Sequence, residues 1–223
     1  MGRGQRARGL RGLRASGTVA KRLTWGIGAL ALLGIVLALF SHSLLRALGW
    51  ALVSEDPLQR ADAIVISLDA GPAGILEAAD LVRARVANRV AVFDEEPSRA
   101  LVELRRRGIA VPSPAASALE YLRQLGVASS EVIPVRASGT EDEGRILPLW
   151  CEQHGVHRVV FVSARDHTRR IRHVVGQALR ARHIILIERA APYSDFDPDR
   201  WWRTRNGVRI EITELQKLIW ELP

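Results

Sequence analysis

The sequence predicts an α/β domain built on a mostly parallel sheet of about five strands, preceded by one membrane-spanning helix. Three observations lead there. Short β-branched runs alternate with segments of helical periodicity; those runs are apolar at nearly every position; and one uncharged stretch near the N-terminus is far longer than any other. A strand covered on both faces needs apolar side chains on both, so unbroken runs point to a parallel sheet between helical layers.

The N-terminal element comes first. Residues 1–24 hold seven basic groups (Arg3, Arg6, Arg8, Arg11, Arg14, Lys21 and Arg22) and no acid, leaving 25 basic and 24 acidic groups in the remainder. The net charge of +8 therefore belongs to the leader, and the rest has no compositional signature of a nucleic-acid-binding surface. Leu23 to Leu45 carries no formal charge. As a helix it would span about 34 Å, enough to cross a ~30 Å hydrocarbon core with some tilt. Trp25 and Trp50 lie near its two ends, where indole rings favour the interface. The positive leader is expected to stay in the cytoplasm, which makes this a single-pass inner-membrane protein with its C-terminal domain outside. A cleaved signal peptide shares the basic leader and apolar run, with Ser41-His42-Ser43 or Ala47-Leu48-Gly49 as a small-residue site, but the length favours an anchor. The expected division is leader 1–22, membrane helix 23–45, linker 46–60 and α/β domain 61–223.

Within the domain, the expected strands are Ala63 to Ser67, Arg89 to Phe93, Val132 to Val135, Arg158 to Ser163 and His183 to Glu188. Helical spacing recurs in Ile75, Ala78, Ala79 and Val82, in Leu101 and Leu104, and in Leu119, Leu122 and Leu125. At the end of the chain Ile212, Leu215, Leu218, Ile219 and Leu222 share one helical face, a docking helix on which Glu214 and Lys217 pair at i, i+3. In open parallel sheets ligands bind beyond the carboxyl ends of the strands. The loops to inspect therefore follow Ser67, Phe93, Val135, Ser163 and Glu188.

Two of these loops carry most of the chemistry. In Ser138-Gly139-Thr140-Glu141-Asp142-Glu143, Thr140 and Glu143 have the spacing of a capping box. The functional reading of the same residues places Ser138, Thr140 and a carboxylate, Asp142 or Glu143, around a ligand at a helix start. Pro148 would kink or end the helix that follows. In Ser163-Ala164-Arg165-Asp166-His167-Thr168-Arg169-Arg170, a helix start again offers amides and a favourable dipole to an anion. Ser163 would line it, and Arg169 or Arg170 would add a planar fork suited to phosphate. His167 is the candidate general acid, base or nucleophile, or a hydrogen-bond donor only; Asp166 reads equally as a helix cap. Asp69 faces the same edge from the loop after the first strand. The glycines there do not fit G-x-G-x-x-G, so no dinucleotide is implied. Cys151 is the only cysteine and the histidines lack ligand spacing, so no disulfide, metal or cofactor is expected. Asp197-Pro198 reads as the start of a short helix, in which Trp201-Trp202 would pack.

The order of these blocks resembles the YdcF-like family, in its membrane-anchored SanA/ElyC type, over about residues 56–223. The likeness rests on Asp56-Pro57-Leu58 with Ala61-Asp62-Ala63-Ile64-Val65, on Ser138 with Thr140-Glu141-Asp142-Glu143, and on Val162-Ser163-Ala164-Arg165-Asp166-His167-Thr168-Arg169-Arg170. Trp201-Trp202-Arg203 and Glu214-x-x-Lys217-Leu218 continue it. Where the family has glycines after its first two strands, this chain has Ser67-Leu68-Asp69 and Phe93-Asp94-Glu95-Glu96. The resemblance implies a Rossmann-like three-layer domain outside the membrane, with a role in envelope maintenance touching lipid-carrier or peptidoglycan metabolism. Two functions follow as expectations. One is binding or processing a phosphorylated envelope metabolite, with Ser138, Thr140, the Ser163 loop and Arg169 or Arg170 holding phosphate and His167 with Asp142 or Glu143 moving protons. The other is a non-catalytic envelope interaction module with a degenerate crevice.

Overall fold

The computed structural model of the chain describes residues 15–221. Residues 1–14 of the basic leader, and Leu222 of the expected terminal stripe, lie outside them. The first helix, α1, covers Ala15–Ala51. Its segment Trp25–Ala51 is 27 residues long, and its most apolar stretch has a mean hydropathy of 2.1 with none of it buried. Among the described residues it is the one helix long and apolar enough to cross a membrane.

The chain divides into two compact units, Met1–Leu45 and Arg46–Pro223. The expected linker 46–60 is helical as far as Ala51; Gly49 weakens the helix propensity there, but its missing side chain admits Pro198 and Trp201. These residues already belong to the second unit. Arg46 pairs with Asp199 at 2.9 Å, the Trp50 indole donates to the same carboxylate at 3.0 Å, and Gly49 packs on Pro198 and Trp201. Leu52 to Asp56 then run along the sheet: the Asp56 amide donates to the Glu188 carbonyl at 3.0 Å, and the Glu188 amide returns to the Asp56 carboxylate at 2.9 Å.

The sheet consists of β1 (Ala63–Ile66), β2 (Val90–Glu95), β3 (Ser130–Ala137), β4 (Arg158–Ser163) and β5 (Ile185–Ala190), all parallel in the order β3-β2-β1-β4-β5. Every residue of β1 is buried, as its unbroken apolar run requires. Helices α2 (Gly71–Arg83) and α4 (Pro114–Gln124) cover one face, with Ile64, Ile66, Val90 and Val92 beneath them. Helices α5 (Thr140–Gln153) and α6 (Thr168–Arg180) cover the other, over Val65, Phe93 and Phe161. The protein is therefore a three-layer, Rossmann-like α/β domain. Strand β4 has the expected limits and β1 ends one residue early; β2 starts one residue later and ends two later than expected, β5 is displaced by two residues along the chain, and β3 extends two residues further at each end.

Other expectations are revised. Pro148 does not end α5, since the helix continues to Gln153. Helix α3 (Arg99–Arg106) buries nothing, so Leu101 and Leu104 add no core contact. Cys151 is fully buried, and that burial pushes its thiol up to about 12, consistent with packing alone. Asp197-Pro198 opens a turn in which the Asp197 carboxylate caps the Asp199 amide at 3.0 Å and its carbonyl accepts from the Arg200 amide; the short 3-10 helix that follows, Trp201–Arg203, carries Trp201-Trp202.

One tight contact sets the α2–sheet distance. A Cβ at Gly74 would lie 2.8 Å from Ile66 Cγ2 and run into the Ala70 side chain. Gly74→Ala is therefore expected to destabilise the domain by about 1–3 kcal/mol despite alanine's better helix propensity, read by chemical denaturation.

The last helix, α7 (Arg205–Glu221), is rotated relative to expectation. Its buried positions are Gly207, Glu211 and Glu214; Leu215 and Leu218 are half-buried, and Ile212 and Ile219 are exposed. Gly207 fixes this phase, because a Cβ there would strike the Trp201 carbonyl. The residues one and two turns further along the Gly207 face turn inward with it.

Candidate functional site

From β1 the chain winds outward through β2 to β3, then returns to the other side of β1 for β4 and β5. The order reverses between β1 and β4, and it is beyond the carboxyl ends of the strands at such a switch point that open parallel sheets bind ligands. Short 3-10 turns fill both loops: Leu68–Ala70 after β1, and Arg165–His167 after β4 leading into α6.

Glu143 enters from the first turn of α5. Its Oε1 accepts from Ser67 Oγ and from the Leu68 amide, each at 2.8 Å. The expected capping box is thereby overturned: Gly139 holds the N-cap position with extended backbone, and no side chain caps the helix. Glu143 instead satisfies the amide left open at the end of β1. Burial, followed by the neighbouring charge of Asp69, pushes its carboxyl up to about 7.

Asp69 Oδ1 accepts from the Ala164 amide at 3.4 Å, tying the two loops together. Its Oδ2 lies 3.6 Å from His167 Nε2 and has no hydrogen-bond partner. Burial raises the Asp69 pKa, against the opposing pull of His167. On the other side of the ring, His167 Nδ1 meets Asp166 Oδ2 at 2.9 Å. Asp166 thus orients the imidazole, and the helix-cap reading of Asp166 does not hold, since α6 has no side-chain cap. Burial works against a charged His167. The hydrogen bond to Asp166 and the charges of Asp69, Asp166 and Glu214 outweigh it and raise its pKa.

Glu214 on α7 completes the cluster. Its Oε1 is 2.7 Å from Lys217 Nζ and 3.6 Å from His167 Nε2, and its Oε2 is 3.4 Å from Arg170 Nε. One turn earlier, the buried Glu211 has no hydrogen-bond partner on either oxygen, and burial with the Asp166 charge pushes it up to about 7. Glu188 accepts from Ser163 Oγ at 2.7 Å and is pushed well above the usual carboxylate range, chiefly by burial.

Of the residues expected to form the site, Asp69, His167 and Arg170 meet there, with Glu143 against Asp69 at its inner wall. Ser163 is directed inward to Glu188. Thr140 is buried at the start of α5. Arg169 donates to the Val53 carbonyl at 2.9 Å and so serves the connector, not the crevice. Asp142 does not join His167: it accepts from the amide and hydroxyl of Ser138 at 3.0 and 2.6 Å and pairs with Arg145 at 2.7 Å. Its bonds to Ser138 and then Arg145 hold its carboxyl at about 2.

Ser67, Glu188, Glu211, Glu214 and Lys217 were not foreseen as site residues. An acid inside the apolar β5 run, and two acids three residues apart on α7, were the available signals. Among the described residues, no group of three or more His, Cys, Asp or Glu is arranged to hold a metal ion. An apolar cleft of about 190 Å³ opens on the α2–α4 side of Ser67 and Leu68, lined also by Ile75, Phe93 and Tyr121.

No protein-family model matches the chain, and no curated protein matches it. Among solved structures, the guanylylpyridinol- and ATP-bound HcgE from Methanothermobacter marburgensis aligns with 74% of this chain and 98% of its own. The two are 14% identical with a TM-score of 0.27, too distant a likeness to carry a site or ligand across.

Proposed function

We propose that the chain is a membrane-anchored, YdcF-like protein whose α/β domain, outside the membrane, binds or processes a phosphorylated envelope metabolite such as a lipid carrier or cell-wall precursor. The observation that supports this is the convergence of three basic side chains, His167, Arg170 and Lys217, on the single carboxylate of Glu214 at 3.6, 3.4 and 2.7 Å. Glu214 occupies the place a phosphate would take. A phosphate monoester there would meet the same three donors, with Arg170 supplying the planar fork.

The acids lining the crevice do not oppose this. Burial raises the pKa of Asp69, Glu188 and Glu143, which eases their protonation beside an anion, and a protonated carboxyl donates a hydrogen bond to it. His167 has the arrangement of a general acid: Asp166 holds Nδ1 and leaves Nε2 facing the ligand. In ester hydrolysis a water oxygen would bond to phosphorus and pass a proton to a phosphoryl oxygen, the bridging P–O bond would break, and the Nε2 proton would pass to the departing oxygen.

The test is thermal unfolding of the full chain in detergent, with inorganic phosphate and short-chain polyprenyl phosphates. At 100-fold its dissociation constant a ligand adds about 2.7 kcal/mol, a clear rise in Tm. Arg170→Ala is expected to lose that rise while remaining folded. The second reading, a non-catalytic interaction module with a closed crevice, is favoured by a separate observation. The Leu68 and Ala164 amides, which would face an anion, are already taken by Glu143 and Asp69. No rise with any compound, in the native chain or the variant, would select it.

A further inference from the structure

Helix α7 is built inside out. It buries Glu211, which is 1% exposed, together with Glu214, and leaves Ile212, Ile219 and Trp220 at 60%, 67% and 84% exposure. Such a face opposes the usual arrangement of an amphipathic helix on a sheet. Arg205 and Arg209 are exposed at the other end of the same helix, so a basic half and an apolar, aromatic half follow one another along it. We propose that this outer face of α7 is a lipid contact, with Ile212, Ile219 and Trp220 seated at the headgroup boundary and Arg205 and Arg209 against anionic headgroups.

The chemistry selects a lipid surface. An indole has an apolar body and a polar N–H, which suits the boundary between water and hydrocarbon. Arginines attract anionic headgroups, and a basic face joined to an apolar one is the pattern of interfacial helices. Continuity along the chain supports the same partner. Gly207 of α7 packs on Trp201, and Trp201 packs on Gly49, two residues before the apolar helix ends at Ala51. The inference rests on the reading that this helix spans a bilayer.

The test uses the full chain in nanodiscs of phosphatidylcholine, alone or mixed with phosphatidylglycerol, each containing a headgroup-nitroxide lipid. A fluorophore is attached at Trp220→Cys, at Phe40→Cys within the apolar helix, or at the exposed Gln124→Cys on α4; the native Cys151 is buried and stays unlabelled. The expected result is that position 220 loses most of its fluorescence to the nitroxide, more so with phosphatidylglycerol, while position 124 loses none. If position 40 is quenched and position 220 is not, the inference fails with the spanning helix intact. If neither is quenched, the spanning reading has failed and takes the inference with it. Equal quenching at 220 in both lipids overturns the role of the arginines. A fluorophore at 220 shielded from both the nitroxide and a water-soluble quencher marks a protein partner instead, and also overturns it.

Discussion

Raising the pH from about 4.5 to 7 is expected to cost the domain several kcal/mol of stability, the reverse of the usual acid-labile profile. Glu143 has its carboxyl moved from an ordinary 4.5 up to about 7 by burial and the Asp69 charge. Between those values the folded state holds a proton that the unfolded state has released, so stability falls as pH rises. This one group accounts for up to about 3 kcal/mol. Glu211, pushed to about 7, acts in the same window and direction, and the raised carboxyls of Asp69 and Glu188 act in the same direction. His167 adds to the trend: its raised pKa gives a contribution that is full below its ordinary 6.5 and lost as pH rises through the folded value. Acids held low, such as Asp142 and Glu120 at about 2, lose their contribution only below the window. Chemical denaturation of the full chain across this range measures the slope. Glu143→Gln keeps an acceptor for Ser67 and Leu68 and should flatten it; a level profile, or one that Glu143→Gln leaves unchanged, would refute the account.

Glu214→Gln should raise the affinity for inorganic phosphate roughly tenfold or more, equivalent to at least about 1.4 kcal/mol. The substitution removes the negative charge on which His167, Arg170 and Lys217 converge, so the neutral side chain is no longer held by them and yields its place to the anion. Without phosphate the variant should be less stable than the native chain, because a buried cation has lost its counter-ion. With phosphate much of that loss should return. Calorimetric titration reads the first effect and thermal unfolding the second. A folded variant with unchanged affinity would mean that Glu214 does not hold the ligand's place.

How far the sequence reveals this arrangement depends on the range of each interaction. Strand β4 is legible to the residue, because its apolar run is bounded by a charged Arg158 and a loop-forming Ser163-Ala164-Arg165. His167 and Arg170 follow from their place after that strand. The Thr140–Glu143 spacing misleads because a local motif and a long-range contact share it. The partners of Glu143, Ser67 and Leu68, lie 76 and 75 residues away in sequence. Arg169 and Arg170 are equivalent on paper; only the phase of α6 turns Arg169 to the Val53 carbonyl and Arg170 to Glu214. The α7 face fails for a comparable reason. Apolar periodicity in Ile212, Leu215, Leu218 and Ile219 carries no information about the close approach of Gly207 to Trp201.

The short connector before β1 has a consequence for how the protein can be divided. The Leu52 carbonyl accepts the Arg169 amide at 3.0 Å, the Ser54 amide donates to Thr168 Oγ1 at 2.8 Å, and Arg172 binds the Ser54 hydroxyl and the Asp56 carboxylate at 2.5 and 2.7 Å. These bonds hold the first turn of α6, directly after His167, and Asp56 closes the free margin of β5. A fragment beginning at Ala61 would contain every strand, yet it would lose the partners of Thr168, Arg169 and Arg172 and expose an open sheet margin. The natural seam of the protein lies before Arg46, so the portable module carries fifteen residues that resemble a mere tether when only the strands are counted.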